Sequence, residues 1–247
     1  MHSDYRRQFA NVQRMKTKRP KPTPLAIGCL LGCMAFSVAA AEDKASTPPA
    51  TSAAQPAVAG AQDQQPAADQ FMGAIARHCW RSFAGKVVAN TPVEPNDPFS
   101  GKSLVIHVRE CGEREIRIPL HVGEDRSRTW VLTRTEDGVR LKHDHRHEDG
   151  SSDVLTMYGG DSSASGSASR QTFPVDAASV ALFEREDRKV STTNVWAIEI
   201  VPHEKLVYEL TRPGREFRVE FDLSKTVPTP PDPWGAELPK ALPAASK

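Results

Sequence analysis

The 247-residue chain lacks the short motifs that mark common chemistries: it has no Gly-x-Ser-x-Gly elbow, no phosphate loop and no zinc-protease helix. No nucleophile is placed beside a base by spacing alone, so no catalytic residue is expected and binding or packing is favoured over an enzyme. Cysteine is scarce, at four residues (Cys29, Cys33, Cys79, Cys111), too few for a disulfide-dense scaffold. Long apolar runs are missing except for one, Leu25 to Val38, which is short for a bilayer crossing. No repeat of solenoid length occurs.

That single run has informative flanks. A basic lead from Met15 to Lys21 precedes it and the small residues Ala39 to Ala41 follow, the pattern of an export signal over residues 1–41 with cleavage before Glu42. A lipoprotein reading through Cys33 is the lesser alternative, because the apolar run continues past that cysteine. Taking away seven Lys or Arg and one acid with the signal leaves 25 basic residues against 30 acidic, a net of −5. Such a balance carries no footprint for nucleic acid, and no transmembrane helix is expected after cleavage. The expected location is the periplasm or the medium. Cys79 and Cys111, the two cysteines left, meet an oxidising compartment and are expected to form a disulfide.

Residues 42–69 are Ala, Pro and Gln with almost nothing large and apolar, which reads as a disordered tether. Residues 225–247 form a Pro-rich extended tail, with Trp234 able to pin it to the body. The domain between, 70–224, alternates apolar and polar residues in hairpin succession. "SLVIHVRE" and "EIRIPLHV" pair with Ile106 opposite Ile118. A two-residue Asp137-Gly138 turn sets Leu132 against His143 and Trp130 against His145. A second turn at Asp149-Gly150 brings "SDVLTMY" alongside, with His145 facing Val154, His143 facing Thr156, Leu141 facing Tyr158 and Arg146 meeting Asp153. "NVWAIEIV", "LVYELT" and "EFRVEFDL" follow a long connection from Gly159 to about Thr192. Helical text is limited to "DQFMGAIARHC" and "VDAASVALFERED", the latter capped by Asp176.

These eight strands, nine with "GKVVAN", predict a mostly β fold: an up-and-down antiparallel barrel with one or two short helices, the alternative being a β-sandwich. The stretch "HCWRSFAG" around Trp80, the short helix before it and the meander of strands resemble the lipocalin and fatty-acid-binding (calycin) barrels, with His78 standing where lipocalins place the Gly of Gly-x-Trp. Residues 128–158 are also similar to exported bacterial proteins of no assigned activity. The calycin resemblance implies an interior that holds a small apolar ligand or haem.

The most unusual text is "KHDHRHEDG", where three histidines occupy alternate positions. Same-face neighbours on a strand lie about 6.6–7 Å apart, so two imidazoles can share an ion but three need a bend. His143, His145 and His147 are therefore candidate metal ligands, against the plainer reading of His143 as a hydrogen-bonded core residue. The candidate ligand-binding residues are Trp130, His143, His145, Thr156 and Tyr158. The functions under consideration are thus small-ligand binding in the barrel, metal or haem binding on the histidine strand, and a cell-envelope interaction module. No particular cofactor is indicated.

Overall fold

A computed structural model describes residues 66–93, 95–162 and 166–236. The expected signal at 1–41, lipidation at Cys33, most of the 42–69 tether and the end of the tail lie outside the described residues.

In chain order the elements are α1 (Ala67–Ala76), β1 (Ser82–Thr91), β2 (Leu104–His107), β3 (Glu110–Cys111), β4 (Glu115–Val122), β5 (Asp125–Arg134), β6 (Val139–His145) and β7 (Tyr158–Asp161). After these come β8 (Arg170–Pro174), α2 (Ala177–Arg185), a 3₁₀ turn (Lys189–Thr193), β9 (Val195–Val201), β10 (Lys205–Arg212) and β11 (Arg215–Val227). Ten strands form one antiparallel path, β7-β6-β5-β4-β2-β1-β11-β10-β9-β8, with β3 paired to β4 beside it. The described residues thus form a mostly β, nearly closed up-and-down barrel with two short helices. Among the described residues a single continuous ladder leaves no second sheet for a sandwich.

Alternation builds the core. Ile116, Ile118 and Leu120 on β4, Trp130 and Leu132 on β5, Val139 and Leu141 on β6, and Trp196, Ile198 and Ile200 on β9 all point inward and are buried. At the end carrying the β5–β6 turn, α1 adds Phe71 and Ile75, both wholly buried, to the same core. Asp69 on α1 pairs with Arg134 at the edge of β5. Cys79, just after α1, is bridged to Cys111, with 6.3 Å between their Cα atoms.

The ladder is interrupted between β7 and β8, and close backbone approach explains how the barrel still shuts there. A Cβ on Gly160 would lie 1.8 Å from the Pro174 carbonyl oxygen, so only glycine lets the strands meet. Pro174 has no N–H to extend a ladder. Instead α2 stitches the seam: the Asp176 amide donates to the Gly159 carbonyl at 2.9 Å, and the Gly159 amide donates to Ser179 Oγ at 2.8 Å. Asp176 also caps α2 by accepting from the Ser179 amide.

Three expected registers are corrected, each by two residues. Ile106 faces Leu120 and not Ile118; Trp130 faces His143 and not His145; His143 faces Tyr158 and not Thr156. Leu132 accordingly faces Leu141, and Leu141 faces Gly160. The first difference in loop chemistry is at residues 135–138, a four-residue turn in which the Thr135 amide bonds the Gly138 carbonyl and Thr135 Oγ1 accepts from the Gly138 amide. The second is that "SDVLTMY" is not a strand: Ser152 makes one isolated bridge to Arg146, and pairing resumes only at Tyr158. Arg146 bonds Asp144 in place of Asp153, and Val154 points to solvent. The strand β8 forms where only a connection was expected.

Candidate functional site

Val139, Leu141 and His143 face the barrel interior, and His143 is only 4% exposed. The ring is held on every side. Tyr158, its ladder partner, stacks on it at 4.8 Å between centroids and 16° between planes. Trp196 lies at 5.2 Å and the Tyr208 ring meets it edge-on. Both ring nitrogens are committed, Nδ1 to the Tyr158 carbonyl at 3.2 Å and Nε2 to the Tyr208 hydroxyl at 2.8 Å. A carbonyl can only accept, so Nδ1 carries the proton and Nε2 accepts from Tyr208. Tyr208 in turn stacks on Trp130 at 4.4 Å and 13°.

This column is uncharged at neutral pH. Burial, helped by the neighbouring His145 and Lys142, pushes His143 down to about 3. Burial and then the Arg128 guanidinium push His145 down to about 4, against the pull of Asp153, Asp125 and Asp144. Burial, followed by Tyr158, raises the Tyr208 phenol well above its ordinary value. None of the three is poised to exchange a proton near pH 7.

The five candidate ligand-binding residues do not gather as one set. Trp130, His143 and Tyr158 adjoin in the interior, and His145 reaches the open end, where its Nε2 lies 3.1 Å from the Tyr158 hydroxyl. Thr156 is turned to the outer side, accepting from the His145 amide at 2.8 Å and bonding Asp144 Oδ1 at 3.2 Å. The three histidines do not share a face either: β6 ends at His145, and His147 is solvent-exposed with Nε2 3.9 Å from Asp153. Among the described residues no group of three His, Cys, Asp or Glu is disposed to hold a metal ion.

Two residues outside that set shape the site. Tyr208 supplies the hydroxyl that His143 needs, and an inward tyrosine in an apolar strand is itself a signal that a polar partner waits across the barrel. Arg128 is the other, sharing the inward parity of Trp130 and Leu132. A bulge between Leu120 and Val122 in the β4–β5 ladder lets Asp125 pair with Arg128 at 2.6 Å at the mouth. The Arg128 guanidinium sits over Phe99 at 5.7 Å, and Phe99 packs on Phe217 at 4.6 Å. Because β1 is paired to β2 only from Ser82 to Gly85, the wall gapes beyond that point. There a cleft of about 370 Å³ is lined by Lys86, Asn90, Asp97, Phe99 and Lys102 among others. Compared with known proteins, the chain matches no family model, no curated protein and no solved structure.

Proposed function

We propose that the chain is an exported barrel protein that binds a small apolar or amphipathic ligand at its mouth. The observation that carries this is Phe99, which lines the open cleft and is packed behind it on Phe217 and beneath the inward Arg128 guanidinium. The cleft mixes the apolar Val87, Phe99 and Leu104 with the cationic Lys86 and Lys102, which suits an acid with a hydrocarbon body: the body lies on Phe99, and the headgroup competes with Asp125 for Arg128 beyond it. The deep interior, filled by the His143 column, serves as the rigid floor. Export is supported by the signal-like text before Glu42 and by the Cys79–Cys111 bridge. Among the described residues no helix is long and apolar enough to cross a membrane. The calycin resemblance points to the same ligand class.

The test is displacement of the fluorescent probe 1-anilinonaphthalene-8-sulfonate by straight-chain carboxylic acids of graded length, with native mass spectrometry of the protein as isolated. Binding of acids that weakens about tenfold in Arg128→Gln, while binding of the matching alcohols does not, supports the reading. A protein that takes up neither probe nor acid and carries no added mass refutes it. Zinc, copper and haem titrations of wild type and His143→Ala/His145→Ala distinguish the metal alternative, which requires stoichiometric uptake lost in the variant.

One observation favours the envelope interaction module as a second reading. Trp80 is 66% exposed at φ 66°, between the exposed Arg77 and Arg81, and its turn is tied down by the disulfide. A strained, rigid, exposed Trp is the kind of anchor that a partner surface buries. A co-purifying envelope partner that Trp80→Ser no longer retains would establish it.

A further inference from the structure

The outer face around β2, β4 and β5 is not solvated as alternation would have it. His107 and His121 occupy outward positions of β2 and β4, yet they are 8% and 4% exposed. Pro119 and Val131, also outward, are buried with them. Neither helix is the cover, since α1 packs on β5, β8 and β9 at the turn end and α2 packs on β7. The segment that follows β11 docks at this face, beside both histidines. Asp232 reaches Arg109 at 3.3 Å, and its carbonyl accepts from Arg126 Nη1 at 3.1 Å. The Trp234 amide donates to the Arg126 carbonyl at 3.1 Å, and Gly235 lies against Gly150 and Arg146. Arg126 belongs to the bulged step of β5 that lies across the ladder from His121.

Residues 228–236 contain Pro228, Pro230, Pro231 and Pro233, which hold the segment extended and keep the entropy lost on docking small. Its attachments through Asp232 and Trp234 lie outside the strand ladder, so it can open without the barrel opening. The face it docks on is sensitive to charge. His121 is faced by His107 from β2 and by Arg126 and Asp125 from β5, and Asp125 is already committed to Arg128. His107 is faced by Arg109 and, from the segment itself, by Asp232, which is already committed to Arg109. The Nε2 of His121 is buried with no partner among the described residues, so a proton added on that ring has no acceptor there until water arrives.

We propose that residues 228–236 are a proton-released strap: charging His121 and His107 undocks the segment from the outer face while the barrel stays folded. Burial first, then His107 and Arg126, holds His121 down to about 4 from its ordinary 6.5, and burial likewise lowers His107. Docking is therefore at full strength above pH 6.5 and weakens as the pH falls toward 4. His121 alone accounts for a loss of at most about a hundredfold in the docking constant, because His107 and Arg126 stay beside the ring when the segment leaves.

Amide hydrogen exchange of the full chain, corrected for intrinsic rates, follows residues 228–236 and the strands from pH 7.5 to 4. Protection of the segment is expected to disappear within that window while β4, β5 and β10 stay protected. In the same sample the His121 imidazole is expected to titrate, by NMR, with the same midpoint, a measurement that needs no variant. His107→Gln/His121→Gln should keep the segment docked to the acid limit. Protection that persists in wild type to pH 4 overturns the proposal. So does loss at the same pH in the double variant, or loss of segment and barrel together.

Discussion

Replacing Tyr208 by Phe tests whether the barrel interior is a dry, fully satisfied polar column. The substitution keeps the ring that stacks on Trp130 at 4.4 Å and deletes one oxygen, the partner of His143 Nε2 at 2.8 Å. Both residues are nearly inaccessible, at 8% and 4% exposure, so the stranded nitrogen finds no bulk water. Leaving a buried acceptor unpaired costs about 1–3 kcal/mol, and the vacated space is too small for a bridging water. A loss of about 2 kcal/mol is expected, which for a domain of this size lowers Tm by roughly 4–8 °C. Urea denaturation at pH 7.5 with the disulfide intact measures it. The paired variant Tyr208→Phe/His143→Leu removes donor and acceptor together, and its cost should fall short of the summed single costs by about 1–2 kcal/mol. A Tyr208→Phe protein within about 0.5 kcal/mol of wild type, with no coupling to His143, would mean that water reaches the imidazole. The interior would then be solvated and the rigid-floor argument wrong.

Acidification should destabilise the barrel through His143. Its pKa in the folded chain, about 3, lies below the ordinary 6.5, so its contribution is complete above pH 6.5 and is lost as the pH falls toward 3, by at most roughly 4–5 kcal/mol. Denaturant midpoints across that range should fall less steeply in His143→Gln. Gly160→Ala forces a methyl onto the Pro174 carbonyl and should cost about 1–3 kcal/mol, with faster hydrogen exchange concentrated in β7 and β8. Cys79→Ala/Cys111→Ala opens the loop that the bridge closes and should lower unfolding free energy by about 3–4 kcal/mol in the chain-entropy account, read by urea titration.

Alternation along the strands was enough to settle which side chains look inward. Val139, Leu141, His143, Trp130 and Tyr208 all lie where a period of two puts them, and the Asp176 cap and the cysteine pair were equally legible because they are local or countable. Alternation is blind to a slip of two residues, since such a slip preserves every face. That is why Ile106, Trp130 and His143 each meet a neighbour two positions from the one expected. Loop geometry around Thr135 and between His147 and Met157 chose among those equivalent registers. Only the nearly closed barrel could bring Tyr208, distant in sequence, onto His143, turn Thr156 outward and lay the Pro-rich tail against Arg109 and Arg126. Those contacts join segments far apart in the chain, and their partners are selected by the packing of the whole core.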